Sequence, residues 1–228
     1  KTSWYLGLSA YWFATSFKWY ILLLVVLPGQ VEKIVPGGEK SQVWGMVFAI
    51  GATWAAVGPS LFGYLSDRLL HRWGDRRPFI AIGSAMTVLA LMALVGADRI
   101  WILVLGYLLL QVSDDVGTGP YSALIPELVP EEHRGRASGT MGMLSLVAQL
   151  SVGIFALLVG GNVVLIYSAI AIVNVACALV ALWTIRGAKP ISPAPEPTRA
   201  SIAGFVRGWI EPWKSRDFFW VWFTRFLN

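Results

Sequence analysis

The stretch "SGTMGMLSLVAQLSVGIFALLVGGNVVLIYSAIAIVNVACALVALWTI", residues 138–185, contains no charged side chain, and Arg136 and Arg186 flank it. A helix crosses the hydrocarbon core of a bilayer with about 20 apolar residues at about 1.5 Å each. The run is too long for one crossing. Gly160, Gly161 and Asn162 divide it into spans at 138–159 and 163–185. So short a connection predicts an antiparallel helical hairpin. The apolar residues run continuously, without the alternation of a barrel strand and over about twice its length, so helices are the expected element.

Four similar runs precede this one, at 4–27, 42–65, 79–97 and 100–124, the first ending at Pro28. The 228 residues are 56% hydrophobic and 14% charged, with mean hydropathy +0.63. Soluble domains carry about 25% charged residues, so this chain lacks the polar side chains to cover a water-facing surface. The single cysteine, Cys177, excludes a disulfide framework. Beyond Ile185, "RGAKPISPAPEPTRA" reads as an extended linker. In "SIAGFVRGWIEPWK", Ile202, Phe205, Trp209, Ile210 and Trp213 share one helix face, opposite Arg207, Glu211 and Lys214. That pattern suits a helix lying on a membrane surface. The last apolar run, 218–228, reaches only about 16 Å as a helix and reads as the start of a truncated seventh span. The expected fold is an all-α membrane protein. Residues 1–185 form a six-helix bundle, 186–215 a central cytoplasmic loop, and 216–228 the start of helix seven.

Lysine and arginine set the expected orientation. With the N-terminus cytoplasmic, that side carries Lys1, Arg68, Arg72, Arg76, Arg77, Arg134, Arg136 and six more between 186 and 216. The other side carries Lys33, Lys40 and Arg99. Tryptophans 4, 44, 73, 101 and 183 fall at span ends, as interfacial anchors do. The protein is expected in a plasma or inner membrane, with the lipid bilayer as its surroundings.

Three charges lie inside apolar runs where they are costly. Lys18 is in span one, and Asp114 and Asp115 are in span four. Each costs about 2.5–3.5 kcal/mol at a span centre, which points to a cavity or to mutual pairing. At helical rise, Lys18 and Asp114 are offset by about 6 Å in depth, a gap a lysine side chain bridges. Adjacent aspartates point about 100° apart, so one of the two faces the pathway. Burial favours a neutral carboxyl and a nearby lysine favours the carboxylate, so these residues are candidates for binding and releasing a coupling proton. The competing reading is a structural ion pair. The aromatic residues Tyr11, Trp12, Trp54 and Tyr121 are candidates to stack on a solute and hydrogen-bond its hydroxyls.

The loop between spans two and three, "GYLSDRLLHRWGDRRPFI" at 63–80, is dense in charge. An anchoring role explains its arginines but not Gly63, Asp67 or Gly74. The loop resembles the G-x-x-x-D-R-x-G-R-R motif of the major facilitator superfamily. The matching residues are Gly63, Asp67 and Arg68, then Gly74, Arg76 and Arg77, with a longer gap that includes Arg72. That longer form is similar to the sucrose–proton symporters and the glycoside–pentoside–hexuronide cation symporters, as are "GPYSALIPELVP" at 119–130 and the following "EEHRGRASG".

The resemblance implies a transporter working by alternating access, with a second six-helix half beyond this chain. It implies a small-solute substrate, a sugar or glycoside, moved with protons. Span five lacks a Gly-Pro pair and span four lacks an arginine, which points away from drug–proton antiporters. The sodium-using relatives place an acid where this chain has Thr118, so the coupling ion is expected to be a proton; Thr118 becomes a solute-binding candidate. Asp67, Arg68, Arg72, Arg76 and Arg77, with Gly63 and Gly74, would form a cytoplasmic latch. No cofactor, metal or nucleic-acid partner is implied, and no enzyme. The aspartates lack the further acid of a magnesium motif, no phosphate loop is present, and His71 and His133 lie in separate loops. The alternatives are an uncoupled facilitator and a non-transporting sensor or scaffold.

Overall fold

The computed structural model describes residues 2–35, 37–191 and 201–226, and of residues 70–73, 225 and 226 only the backbone. The described residues contain helices and no strand. Six helical segments are long and apolar enough to cross a membrane. Span one joins α1 (Thr2–Ile21), a π turn (Leu22–Val26) and α2 (Leu27–Ile34). Span two is α3 (Lys40–Trp73), span three α4 (Arg77–Val95), and span four α5 (Ile100–Ser122) followed by the short α6 (Leu124–Leu128). Spans five and six are α7 (Glu131–Val159) and α8 (Val163–Thr184). The all-α membrane fold is therefore as the sequence predicts.

Several boundaries differ from the sequence reading. Pro28 does not end span one. The π turn shifts the hydrogen-bond register, and Pro28 falls in the first turn of α2, where a missing N–H costs nothing. The helix of span two does not stop near Leu65 but runs on to Trp73. Gly74, at φ +68°, then turns the chain in a left-handed conformation that favours glycine. The two helices of the uncharged run are not a packed hairpin. Gly160 and Gly161, both at positive φ, reverse the chain, and Asn162 caps α8 by accepting from the Leu165 N–H at 3.2 Å. Yet α7 and α8 scarcely touch each other, because α1 packs extensively against both.

On the other side of the bundle α5 is the hub, with α4 and α3 packed along it. Glycines set those spacings. A Cβ on Gly83 would lie 2.6 Å from the Gly117 nitrogen, and one on Gly119 would lie 2.7 Å from the Pro59 carbonyl. Backbones that close leave no room for side chains. Two apolar clusters fill the interior. One gathers Ile21, Leu22, Leu94 and Leu110, and the other Leu8, Ile80, Leu124 and Ala181. Asp114 and Asp115 fall between them along α5, and Lys18 lies at the edge of the first cluster, next to Phe17. Leu150, Leu157, Leu158, Ile172 and Leu179 are largely exposed on the outside, as lipid-facing side chains are.

The proline-rich linker falls mostly outside the described residues. The amphipathic segment forms α9 (Ile202–Ile210) and a 3-10 turn at 211–214, followed by α10 (Arg216–Phe226).

Candidate functional site

Tyr11, Thr15 and Lys18 recur at helical spacing on α1 and are all buried against α5. Lys18 is 0% exposed and forms an ion pair with Asp114 Oδ1. The other oxygen, Asp114 Oδ2, accepts from the Trp19 indole N–H at 2.6 Å. The Lys18 ammonium also sits 5.5 Å from the Trp19 ring centre. Asp114 is thus held at both oxygens by consecutive residues of α1. Asp115, equally buried, turns toward α3 and accepts from the Trp54 indole N–H at 2.8 Å. That contact requires Gly58, one turn along α3, whose Cβ would collide with the Asp115 carboxylate and with Trp54 Nε1.

Both aspartates, not one as their separation around the helix suggests, line a cavity of about 1170 Å³ between spans one, two, four and five. Its walls carry the aromatic rings of Trp12, Trp19, Tyr20, Trp44, Phe48 and Tyr107, with Gln111 and Gln149 among the few polar groups. Gln111 Nε2 donates to the Gly51 carbonyl at 3.2 Å, which fixes its amide at the wall. Trp44 is therefore not simply an interfacial anchor; it faces the cavity.

The solute-binding candidates separate into two groups. Trp12 and Thr118 line the cavity. Tyr11 and Tyr121 do not, which corrects their reading as solute contacts in this conformation. They are 0% and 1% exposed behind the wall. Tyr121 stacks on Trp12 at 6.3 Å and donates to the Leu8 carbonyl at 2.5 Å, so it supports the wall from inside. Trp54 acts on Asp115 instead of lining the cavity. Thr118 donates its hydroxyl to the Asp114 carbonyl at 2.9 Å, leaving an oxygen lone pair as its free polar feature. Reading by residue type missed Trp19 and Gln111. The only sequence signal for Trp19 was its place directly after the buried lysine.

The arginine-rich end holds a second constellation. Arg76 is 3% exposed. Its Nε donates to Glu127 at 2.9 Å, its Nη1 to Ser66 Oγ at 2.6 Å, and its Nη2 to Asp67 at 2.7 Å and to Glu127. Burial alone would lower the Arg76 pKa. Its bonds to Glu127 and Asp67 outweigh that and hold the guanidinium above its usual value. The five-donor fork of arginine is what lets one side chain join α3, the turn after it and α6.

Of the predicted latch residues, the structure brings Asp67 and Arg76 together. Arg77 pairs instead with neighbouring Asp75 at 2.7 Å, and Arg68 stacks 4.6 Å from the Tyr64 ring centre. Gly63 lies within α3 facing α5, where its nearest foreign atom from an added Cβ would be the Gly119 carbonyl at 3.8 Å. The Arg72 side chain lies outside the described residues. Glu127 and Ser66 were not singled out from the sequence.

The chain is 27% identical over 134 residues to a sucrose transport protein of Arabidopsis thaliana, an alignment covering 52% of this chain and 26% of that protein. It is 26% identical over 121 residues to a class E tetracycline resistance protein of Escherichia coli, covering 53% and 28% respectively. The matched stretch thus spans about a quarter of the length of each relative. A family model described as the Major Facilitator Superfamily matches residues 5–228. With that match running over nearly all of its length, the chain belongs to the Major Facilitator Superfamily, a family of membrane transporters.

Proposed function

We propose that this chain is the N-terminal half of a secondary active transporter that moves a sugar or glycoside together with a proton. A second six-helix half completes the pathway, the arginine-rich end faces the cytoplasm, and the two halves rock about the cavity. The observation that carries the reading is the asymmetry of the two aspartates. Lys18 balances Asp114, while among the described residues the hydrogen-bond partner of Asp115 at the same cavity is the neutral Trp54 N–H. The three groups would carry one net negative charge with both carboxyls ionised, and a single proton removes it. In a site closed to water, that proton is the simplest way to balance charge. Aromatic walls with a few fixed polar groups suit a sugar, whose ring faces stack while its hydroxyls hydrogen-bond. The name of the Arabidopsis relative supports the same substrate class.

The test is uptake of labelled sucrose and a panel of other sugars into proteoliposomes holding the full-length gene product. Wild type is expected to accumulate one sugar against its gradient when an inward proton gradient is imposed. Asp115→Asn keeps an acceptor for Trp54 and is expected to exchange that sugar without concentrating it. Accumulation that ignores both the gradient and the substitution would sink proton coupling. Absence of any sugar flux would sink the substrate class.

A second reading rests on the aromatic, mostly apolar wall and on the tetracycline-resistance relative. It is proton-driven export of a flat aromatic solute. A tetracycline arm of the same assay, with the proton gradient reversed, separates the two readings.

A further inference from the structure

The chain beyond span six returns to the arginine-rich end at two points. The Ile191 N–H donates to the Glu127 carbonyl at 2.7 Å. Ten positions later, Ser201 brackets the Tyr64 hydroxyl: its N–H donates to that oxygen at 3.1 Å, and its carbonyl accepts from the hydroxyl at 3.2 Å. Phe205, on the first turn of α9, meets the Tyr64 ring edge-on at 5.7 Å. A Cβ on Gly204 would lie 2.8 Å from the Tyr64 hydroxyl, so glycine permits the approach.

Both anchors belong to elements that hold the arginines. Glu127 presents its carbonyl to Ile191 and its carboxylate to Arg76. Tyr64 presents its hydroxyl to Ser201 and its ring to Arg68, and it lies one turn from Asp67 on α3.

We propose that Ile191 and residues 201–205, after span six, act as a strap whose docking at Glu127 and Tyr64 is coupled to the Arg76 cluster. The strap recognises α3 and α6 in the relative position that the Arg76 bonds to Asp67 and Glu127 maintain. Rearrangement of that cluster displaces the anchors and releases the strap. By reciprocity, release of the strap loosens the cluster by the same factor. The strap thus reports and reinforces the state of this end of the bundle. It does so whatever solute is carried, so it stands or falls separately from sugar–proton symport.

The experiment is amide hydrogen exchange on the full-length gene product in lipid nanodiscs, comparing wild type, Tyr64→Phe and Gly204→Ala. Tyr64→Phe keeps the ring and removes both hydrogen bonds to Ser201. Gly204→Ala blocks the approach while raising intrinsic helix propensity. Amides of 202–210 are expected to exchange roughly tenfold faster in both variants, the scale of one or two net hydrogen bonds. Amides of 74–79 and 123–129 are expected to accelerate with them. Unchanged exchange at 202–210 in Tyr64→Phe, or slower exchange there in Gly204→Ala, would overturn docking. Faster exchange at 202–210 with 74–79 and 123–129 unmoved would overturn the coupling.

Discussion

Lys18 and Arg76 are both enclosed cations with two carboxyl groups close by, and they are built differently. Arg76 spreads three nitrogens over Asp67, Glu127 and Ser66, so each carboxylate of its cluster touches the cation. Lys18 is a point charge on one carboxylate, and the second, Asp115, is tied to a neutral indole on another helix. The surroundings differ as well. The Asp67 side chain is 38% exposed at the bundle end, whereas the Asp114 side chain is 6% exposed among apolar clusters. At the same formal charge of about −1, one cation and two carboxylates, similar residue types therefore yield a clamp near water with both carboxylates on the cation and a buried site where one carboxylate is bonded to no cation. The first suits holding helices together, and the second suits taking up a charge.

The most severe way to break this contrast is to leave Lys18 alone. Asp114→Asn removes the carboxylate that, among the described residues, is bonded to the buried Lys18 ammonium, at an expected cost of about 3–5 kcal/mol. A large fall in the unfolding midpoint in detergent would register it. The double variant Lys18→Met with Asp114→Leu removes both charges and should recover most of that stability. A double variant as unstable as Asp114→Asn would show that Trp19 and Thr15, not charge pairing, set the cost.

Glu127→Gln probes the other region. The amide retains one oxygen for Arg76 but loses the charge and the two-oxygen acceptance, at about 1.5–3 kcal/mol. The expected loss is smaller than for Asp114→Asn, because Asp67 still balances Arg76. Losses of equal size in the same unfolding assay would remove the distinction between a cation shared by two carboxylates and a cation bonded to one.

The spans were legible because an uncharged run of that length has few alternatives, and the buried charges because their cost in such runs is large. Helix ends were less so. Pro28 carries the usual stop signal, and only the π turn before it, which no residue pattern announces, lets the helix continue. The α7–α8 connection is as tight as predicted, but a third helix, α1, enters between its arms, and local spacing carries no trace of that. Within the site, Lys18 and Asp114 could be matched by depth. Trp19 and Trp54 could not be read as carboxylate donors, because a tryptophan in an apolar span looks the same whether it packs or donates. Glu127 is far from the loop motif in sequence, and only the return of α6 beside α3 brings it to Arg76.

Trp19→Phe sharpens the account of Asp114. It keeps the ring and deletes the N–H bonded to the Oδ2 of a carboxylate, so about 1.5 kcal/mol is expected from unfolding measurements, with the Lys18 pair intact. Asp67→Asn is expected to matter least for stability, because its exposed carboxylate is screened and Glu127 remains on Arg76. At low salt the cost should be under about 1 kcal/mol, falling further as ionic strength rises toward about 1 M. Asp114→Asn should show a weaker salt dependence, since its side chain is 6% exposed and both oxygens are held by α1. Unfolding both variants across a salt series therefore compares the two regions directly. A salt-independent cost for Asp67→Asn would mean that the arginine cluster is screened no more than the Lys18–Asp114 pair, and the contrast between them would then rest on hydrogen-bond count alone.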